Sequence, residues 1–168
     1  GLKWDTTTDQ ITFPTESPIP QRPITKRAIL KETALLFDPL GFLTPVHIRA
    51  KILLQKMWLE KTSWDEEISP VLRNSWNNIY SDLCSARTIH VPREYFNNFQ
   101  NSPAELHVFC DASESAYGAV AYLKQNELIS LVIAKSRVAP IKSITLPRLE
   151  LMAVLIGARL AKFTAAAF

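Results

Sequence analysis

Apolar residues recur along this chain in two rhythms, and each predicts a different kind of element. Leu2 and Trp4 alternate with polar neighbours, Thr6 to Asp9 are turn formers, and Ile11 and Phe13 alternate again, which predicts a hairpin over residues 1–13. Residues 14–23 carry four prolines and read as an extended connector. The spacing then lengthens to that of a helix. Thr25 suits an N-cap, and Ile29, Leu30, Thr33, Leu36 and Phe37 share one face of a helix over about 26–37, ended by Asp38-Pro39-Leu40-Gly41. Thr44-Pro45 opens a second helix to about Lys61, with Ile48, Ile52, Leu53 and Met57 along one side. Two starts are on offer for a third: the capping-box pattern from Ser63 to Glu66, and Ser69-Pro70. Beyond them Leu72, Trp76, Ile79, Tyr80 and Leu83 keep helical spacing. Trp58, Trp64 and Trp76 read as core residues of this helical part.

After Pro92 the rhythm changes again. Residues 97–103 are polar and turn-rich, as a linker would be. Three short apolar runs follow, over 106–110, 116–123 and 128–135, separated by turn-like pieces; they predict an antiparallel meander. Gly118, Ala119 and Ala121 keep the middle strand slim, as a strand covered by a helix requires. That helix is predicted after Thr145, with Pro147 in its first turn and Leu149, Ala153, Ile156 and Leu160 as its buried stripe. The fold class is therefore α+β: a helical N-terminal region, then a three-stranded antiparallel sheet with one helix.

Bulk properties narrow the function only a little. The net charge is +3, and splitting the chain at Ala104 leaves 12 basic and 11 acidic residues before it against 7 and 5 after it. Net charge alone therefore does not mark a nucleic-acid binder, and local distribution has to carry any such reading. Cys84 and Cys110 form neither a disulfide framework nor a metal spacing, which suits a reducing intracellular compartment. No apolar run approaches a membrane span, and no signal peptide is present. The chain opens without Met on a strand and closes inside an apolar helical pattern, so it reads as a segment of a longer polyprotein.

The candidate chemistry lies in the second half. Asp111 ends the first strand of the meander and Glu150 stands one turn into the final helix. A strand-end acid and a helix acid aimed at one point make half of a hard-metal site. Phosphodiester cleavage needs water deprotonated near neutral pH and a stabilised leaving oxygen, and paired Mg²⁺ ions, or Mn²⁺, supply both. From the residues alone a plainer account also stands: Asp111 as a turn former with Ala112-Ser113, and Glu150 as an acid favoured by the helix dipole. Between Glu127 and Glu150 there is no acid, while Lys135, Arg137, Lys142 and Arg148 fall within that stretch or beside it. One-signed stretches of this kind hold phosphates, or are simply solvated. Ser113, in the loop after the first strand, is a candidate substrate contact or a turn residue. His47, His90 and His107 lack ligand spacing, so zinc is not expected.

Several pieces together carry a family resemblance. Gly1-Leu2-Lys3-Trp4, Lys26-Arg27, Phe37-Asp38-Pro39-Leu40-Gly41, Phe109-Cys110-Asp111-Ala112-Ser113, Tyr117-Gly118-Ala119-Val120 and Leu146-Pro147-Arg148-Leu149-Glu150-Leu151 resemble the pol polyprotein of BEL/Pao-type LTR retrotransposons. By that resemblance, residues 1–24 correspond to a reverse-transcriptase palm hairpin with its proline-rich connector. Residues 25–96 correspond to a thumb and connection region, 97–104 to a linker, and 105–168 to the first half of a ribonuclease H-like domain. Asp111 and Glu150 match two of the four metal-binding carboxylates of ribonucleases H. The other two belong to later elements of that fold, which puts autonomous catalysis by this chain in doubt. The implied partners are an RNA–DNA hybrid or other nucleic acid and the rest of the polyprotein, with no membrane. A different class of reading is a non-catalytic remnant that binds nucleic acid or protein. An aspartic peptidase fits less well, because Asp111-Ala112-Ser113 lacks the glycine of an Asp-Thr/Ser-Gly loop.

Overall fold

A computed structural model describes residues 2–13, 23–96 and 103–167. The proline-rich connector, except Pro23, and most of the linker lie outside the described residues. The chain divides into two compact units: Gly1–Asp38 with Pro45–Val91, and Pro39–Thr44 with Pro92–Phe168. With four helices and two three-stranded sheets it is an α+β protein.

In the first unit, β1 (Lys3–Asp5) and β2 (Gln10–Thr12) form the hairpin read from the alternation, with Trp4 opposite Ile11. Asp5 fastens the turn: its carboxylate accepts from the Thr7 N–H and the Thr8 hydroxyl, and these bonds hold its pKa below the ordinary range. A strand not foreseen from the sequence, β3 (His90–Pro92), completes this sheet beside β2. Three residues carry too little pattern to separate a strand from a loop.

The helices are α1 (Lys26–Leu35), α2 (Thr44–Leu59) and α3 (Pro70–Ala86). Thr25 caps α1 by accepting from the Ala28 N–H. Of the two candidate starts for α3, Ser69-Pro70 is the one used, with the Ser69 hydroxyl accepting from the Leu72 N–H. The Ser63 N–H only reaches Glu66 at 3.5 Å within a turn. The expected stripe of α3 holds at Leu72, Trp76, Ile79 and Leu83, all buried, with Tyr80 half-buried against Trp76.

Two expectations for this unit fail. Leu30 and Phe37, assigned to the inner face of α1, are exposed, while Lys26 and Glu32 are 2% and 4% exposed. Trp58 and Trp64, read as core, are both exposed. They meet edge to face at 5.4 Å and enclose Lys26, whose ammonium lies 3.7 Å from the Trp58 ring centroid and donates to the Thr62 carbonyl at 3.1 Å. Tertiary partners override the hydrophobic rhythm here, since a lysine with a carbonyl and an aromatic face can be buried where a leucine was expected. In α2, burial centres on Ala50, Leu53, Leu54 and Met57, which leaves Ile48 and Ile52 half-buried.

Burial pushes the Glu32 carboxyl above its usual range, opposed by the charges of Arg87 and Lys31. The folded state thus keeps this proton to a higher pH than the unfolded chain does. The resulting stabilisation is full at low pH and is lost as pH rises through the unfolded and then the folded pKa. Glu32→Gln should therefore flatten the loss of stability between about pH 4 and about pH 7. Thermal melts at the two pH values check this, and an unchanged slope would place the titration elsewhere.

The second unit is a meander, β4 (Glu105–Ala112), β5 (Ala116–Gln125) and β6 (Leu128–Val138), under α4 (Leu146–Ala165). α4 lies over β4 and β5 and barely touches β6. Its stripe is the expected one: Leu149, Ala153, Ile156 and Leu160 are buried with Tyr117, Ala119 and Ala139. Each of the larger side chains is worth about 1.5–3 kcal/mol of burial. Gly157 lets helix and strand approach, because a Cβ there would stand 2.1 Å from Cys110 Sγ and 3.4 Å from Val108 Cγ1. At the other end of the same face Leu123 and Val132 pack with Phe96. The outer edge of β6 is met by Pro39–Thr44, with the Ala134 N–H donating to the Leu40 carbonyl at 2.8 Å.

Candidate functional site

Strand parity fixes where each candidate side chain points. Val108 and Cys110 lie under Gly157, so the even residues of β4 face α4, and Asp111 projects from the opposite face. Asp111 pairs with Gly118, which pairs with Ser136; this row of small residues leaves the carboxylate uncrowded. It is exposed, and Oδ1 accepts from the Ala112 N–H at 2.8 Å.

Glu150 is exposed in the first turns of α4. Leu149, its neighbour, shares a cluster with Ala112, Tyr117 and Ala139, the residues at the Asp111 end of the sheet. Gly157 marks the flank of α4 above β4, and at 100° per residue Glu150 falls on that same flank. Both acids therefore stand at the same end of the sheet, Asp111 on the face away from α4 and Glu150 on the β4 flank of the helix. Among the described residues neither forms an ion pair, and no cluster of three or more His, Cys, Asp or Glu side chains could hold a metal ion.

The basic residues are placed differently. Lys135 pairs with Ala119 and Arg137 with Tyr117, both on the α4 face, so these two cations stand on the opposite side of the sheet from Asp111. Lys142 lies in the connection from β6 to α4, and Arg148 in the first turn of α4 on the flank towards β6. All four are exposed. Arg159, passed over in the sequence, stands on that same flank three turns after Arg148; its spacing of eleven residues was the available signal. Ser113 is occupied by the β4–β5 turn: its hydroxyl accepts from the Ser115 and Ala116 N–H groups and donates to the Ala116 carbonyl. That turn use is the plainer of its two readings.

A meander with an acid at the end of its first strand, and a covering helix that brings a second acid to the same end, is a ribonuclease H-like arrangement. A family model, that of the Pao retrotransposon-like RNaseH-like domain, matches residues 25–168, and the chain belongs to this family. No curated protein and no solved structure matches it. Among the described residues no helix is long and apolar enough to cross a membrane.

Proposed function

We propose that this chain works within a retrotransposon pol polyprotein, where it handles an RNA–DNA hybrid and takes part in hydrolysing the RNA strand. The observation that carries this reading is that Asp111 and Glu150 both stand at the same end of the sheet, in a chain of a ribonuclease H-like family. Both are hard oxygen donors that have no ion-pair partner among the described residues. Two carboxylates with water suit Mg²⁺, or Mn²⁺, which takes few protein ligands. The residues present thus fit part of a site. Asp111 would hold the ion through the oxygen not engaged by Ala112, and Glu150 would close it from the helix. A bound ion would supply Lewis-acid stabilisation of the phosphate. The Ser113 hydroxyl is fully engaged by its turn, so a substrate contact there would have to displace one of those bonds. Lys135, Arg137, Lys142 and Arg148 would neutralise backbone phosphates.

A second reading is a nucleic-acid-binding role, favoured by the exposed cations Lys135, Arg137, Lys142 and Arg148 in the sheet-bearing unit. Calorimetric titration with Mg²⁺ separates the two readings. The metal-site reading expects weak but saturable binding, since Mg²⁺ keeps several waters and only two carboxylates are offered. Asp111→Asn should abolish it and Glu150→Gln should weaken it. Binding that persists unchanged in Asp111→Asn removes Asp111 from the site.

A further inference from the structure

We infer that the flank of α4 facing β6 forms, with β6 itself, a phosphate-backbone track separate from the acid pair. It is built from Lys135, Arg137, Lys142, Arg148 and Arg159. The inference rests on the nucleic-acid reading above and adds a location, an extent and one residue to it.

Three observations place the track. α4 is centred over β4 and β5 and barely touches β6. Phe96 packs on Val132, and the part of the α4-side face of β6 that carries Lys135 and Arg137 is an exposed shelf beside the helix. Lys135 and Arg137 rise from that shelf, two residues apart on one face and so about 7 Å from each other. The helix wall above it is basic as well. Gly157 stands on the β4 flank of α4, and Arg148 and Arg159 lie on the flank away from it. Gly157 is also level with Ala119, the partner of Lys135, so Arg159, two residues on, stands near the level of Lys135. Arg148 stands at the other end of the strip, towards Arg137 and Lys142.

The pairing state of these cations separates them from the arginines of the helical unit. There, Arg27 is held by Asp65, Arg73 by Glu67 and Arg49 by Asp82. None of the five strip cations has an ion-pair partner among the described residues, and all five are exposed. Mutual repulsion in a one-signed strip is tolerated at a surface, and it is relieved when a polyanion displaces its counterions onto the strip. From Arg148 to Arg159 the strip runs about 16 Å along the helix, which is roughly five nucleotides at 3.4 Å each. The acids lie on the β4 side and the cations on the β6 side. A backbone on the track therefore approaches the acid end of the sheet from across its width.

Fluorescence anisotropy of the full chain with a labelled RNA–DNA hybrid, in EDTA and across about 50–200 mM salt, tests this. The logarithm of affinity should fall with the logarithm of salt at a slope of about −3.6 to −4.5, for four to five neutralised phosphates. Arg148→Gln and Arg159→Gln should each shrink the slope by about 0.9 and weaken binding several-fold, additively, with unchanged melting temperatures. Arg73→Gln, in the helical unit, should leave the slope as it is. The track is overturned by absence of binding at low salt, or by a slope indifferent to Arg148 and Arg159. Asp111→Asn should leave this binding intact. Failure of the metal reading with the salt slope preserved thus counts against hydrolysis and not against the track.

Discussion

Gly41→Ala is expected to destabilise the sheet-bearing unit more than any other single-methyl change in it. Gly41 sits at φ +78°, a conformation that costs an L side chain about 1 kcal/mol or more. A Cβ there would also stand 2.0 Å from the Ala134 carbonyl oxygen and 2.9 Å from Thr44 Oγ1. The first contact is to backbone, so the strand or the segment must move. The bond most exposed to that movement is the one from the Ala134 N–H to the Leu40 carbonyl, which closes the β6 edge. Together these effects should cost about 2–4 kcal/mol, or a fall of roughly 10 °C or more in melting temperature for a unit of this size. Hydrogen exchange at Ala134 gives a local readout and should quicken ahead of the α4 amides. An alanine variant that melts as the wild type does would mean that Gly41 is free to leave the edge.

The second large effect is expected at Gly157, and here local and tertiary terms oppose each other. Within an isolated helix, Gly to Ala is worth a gain of about 1 kcal/mol. Against the sheet, the new methyl meets Cys110 Sγ at 2.1 Å. Overpacking of this kind costs about 1–3 kcal/mol, so Gly157→Ala should be a net loss unless Cys110 turns outward from its exposed edge strand. The double variant with Cys110→Ala removes the obstructing sulfur and should recover most of the loss. The coupling energy between the two positions, read from urea midpoints, should be about 1 kcal/mol or more. A stabilising Gly157→Ala on its own would show that helix and strand are not held at this distance.

Much of the second unit was legible because its patterns are local. The stripe Leu149, Ala153, Ile156, Leu160 has a single solution in a helix, and the slim Gly118, Ala119, Ala121 foretold a strand under close helical cover. The helical unit was less so. Its three helices can be read from spacing, yet the face each buries was misjudged wherever a polar side chain found a partner far along the chain. Lys26 reaches the Thr62 carbonyl and the rings of Trp58 and Trp64, and no window of neighbouring residues contains that information.

The acid pair and the basic strip show the same division. That Asp111 ends a strand and Glu150 starts a helix follows from alternation, turn residues and the Thr-Leu-Pro start of α4, all written within a few positions. Which face carries Lys135 and Arg137 does not follow. A two-residue turn at Asn126-Glu127, continued without interruption, would set Lys135 opposite Gly118, on the Asp111 side. Instead Ala121 pairs with Ile133 and Tyr122 with Leu131, and Val132 is left over as the extra residue of a bulge. A shift of one residue turns every later side chain to the other face. The sequence by itself determined the first hairpin, the meander, the four helices and the candidate ligands, because those depend on near neighbours. Only the tertiary structure decided that the cations leave the acid's face for the α4 side, where the buried Val132 packs with Leu123 and Phe96.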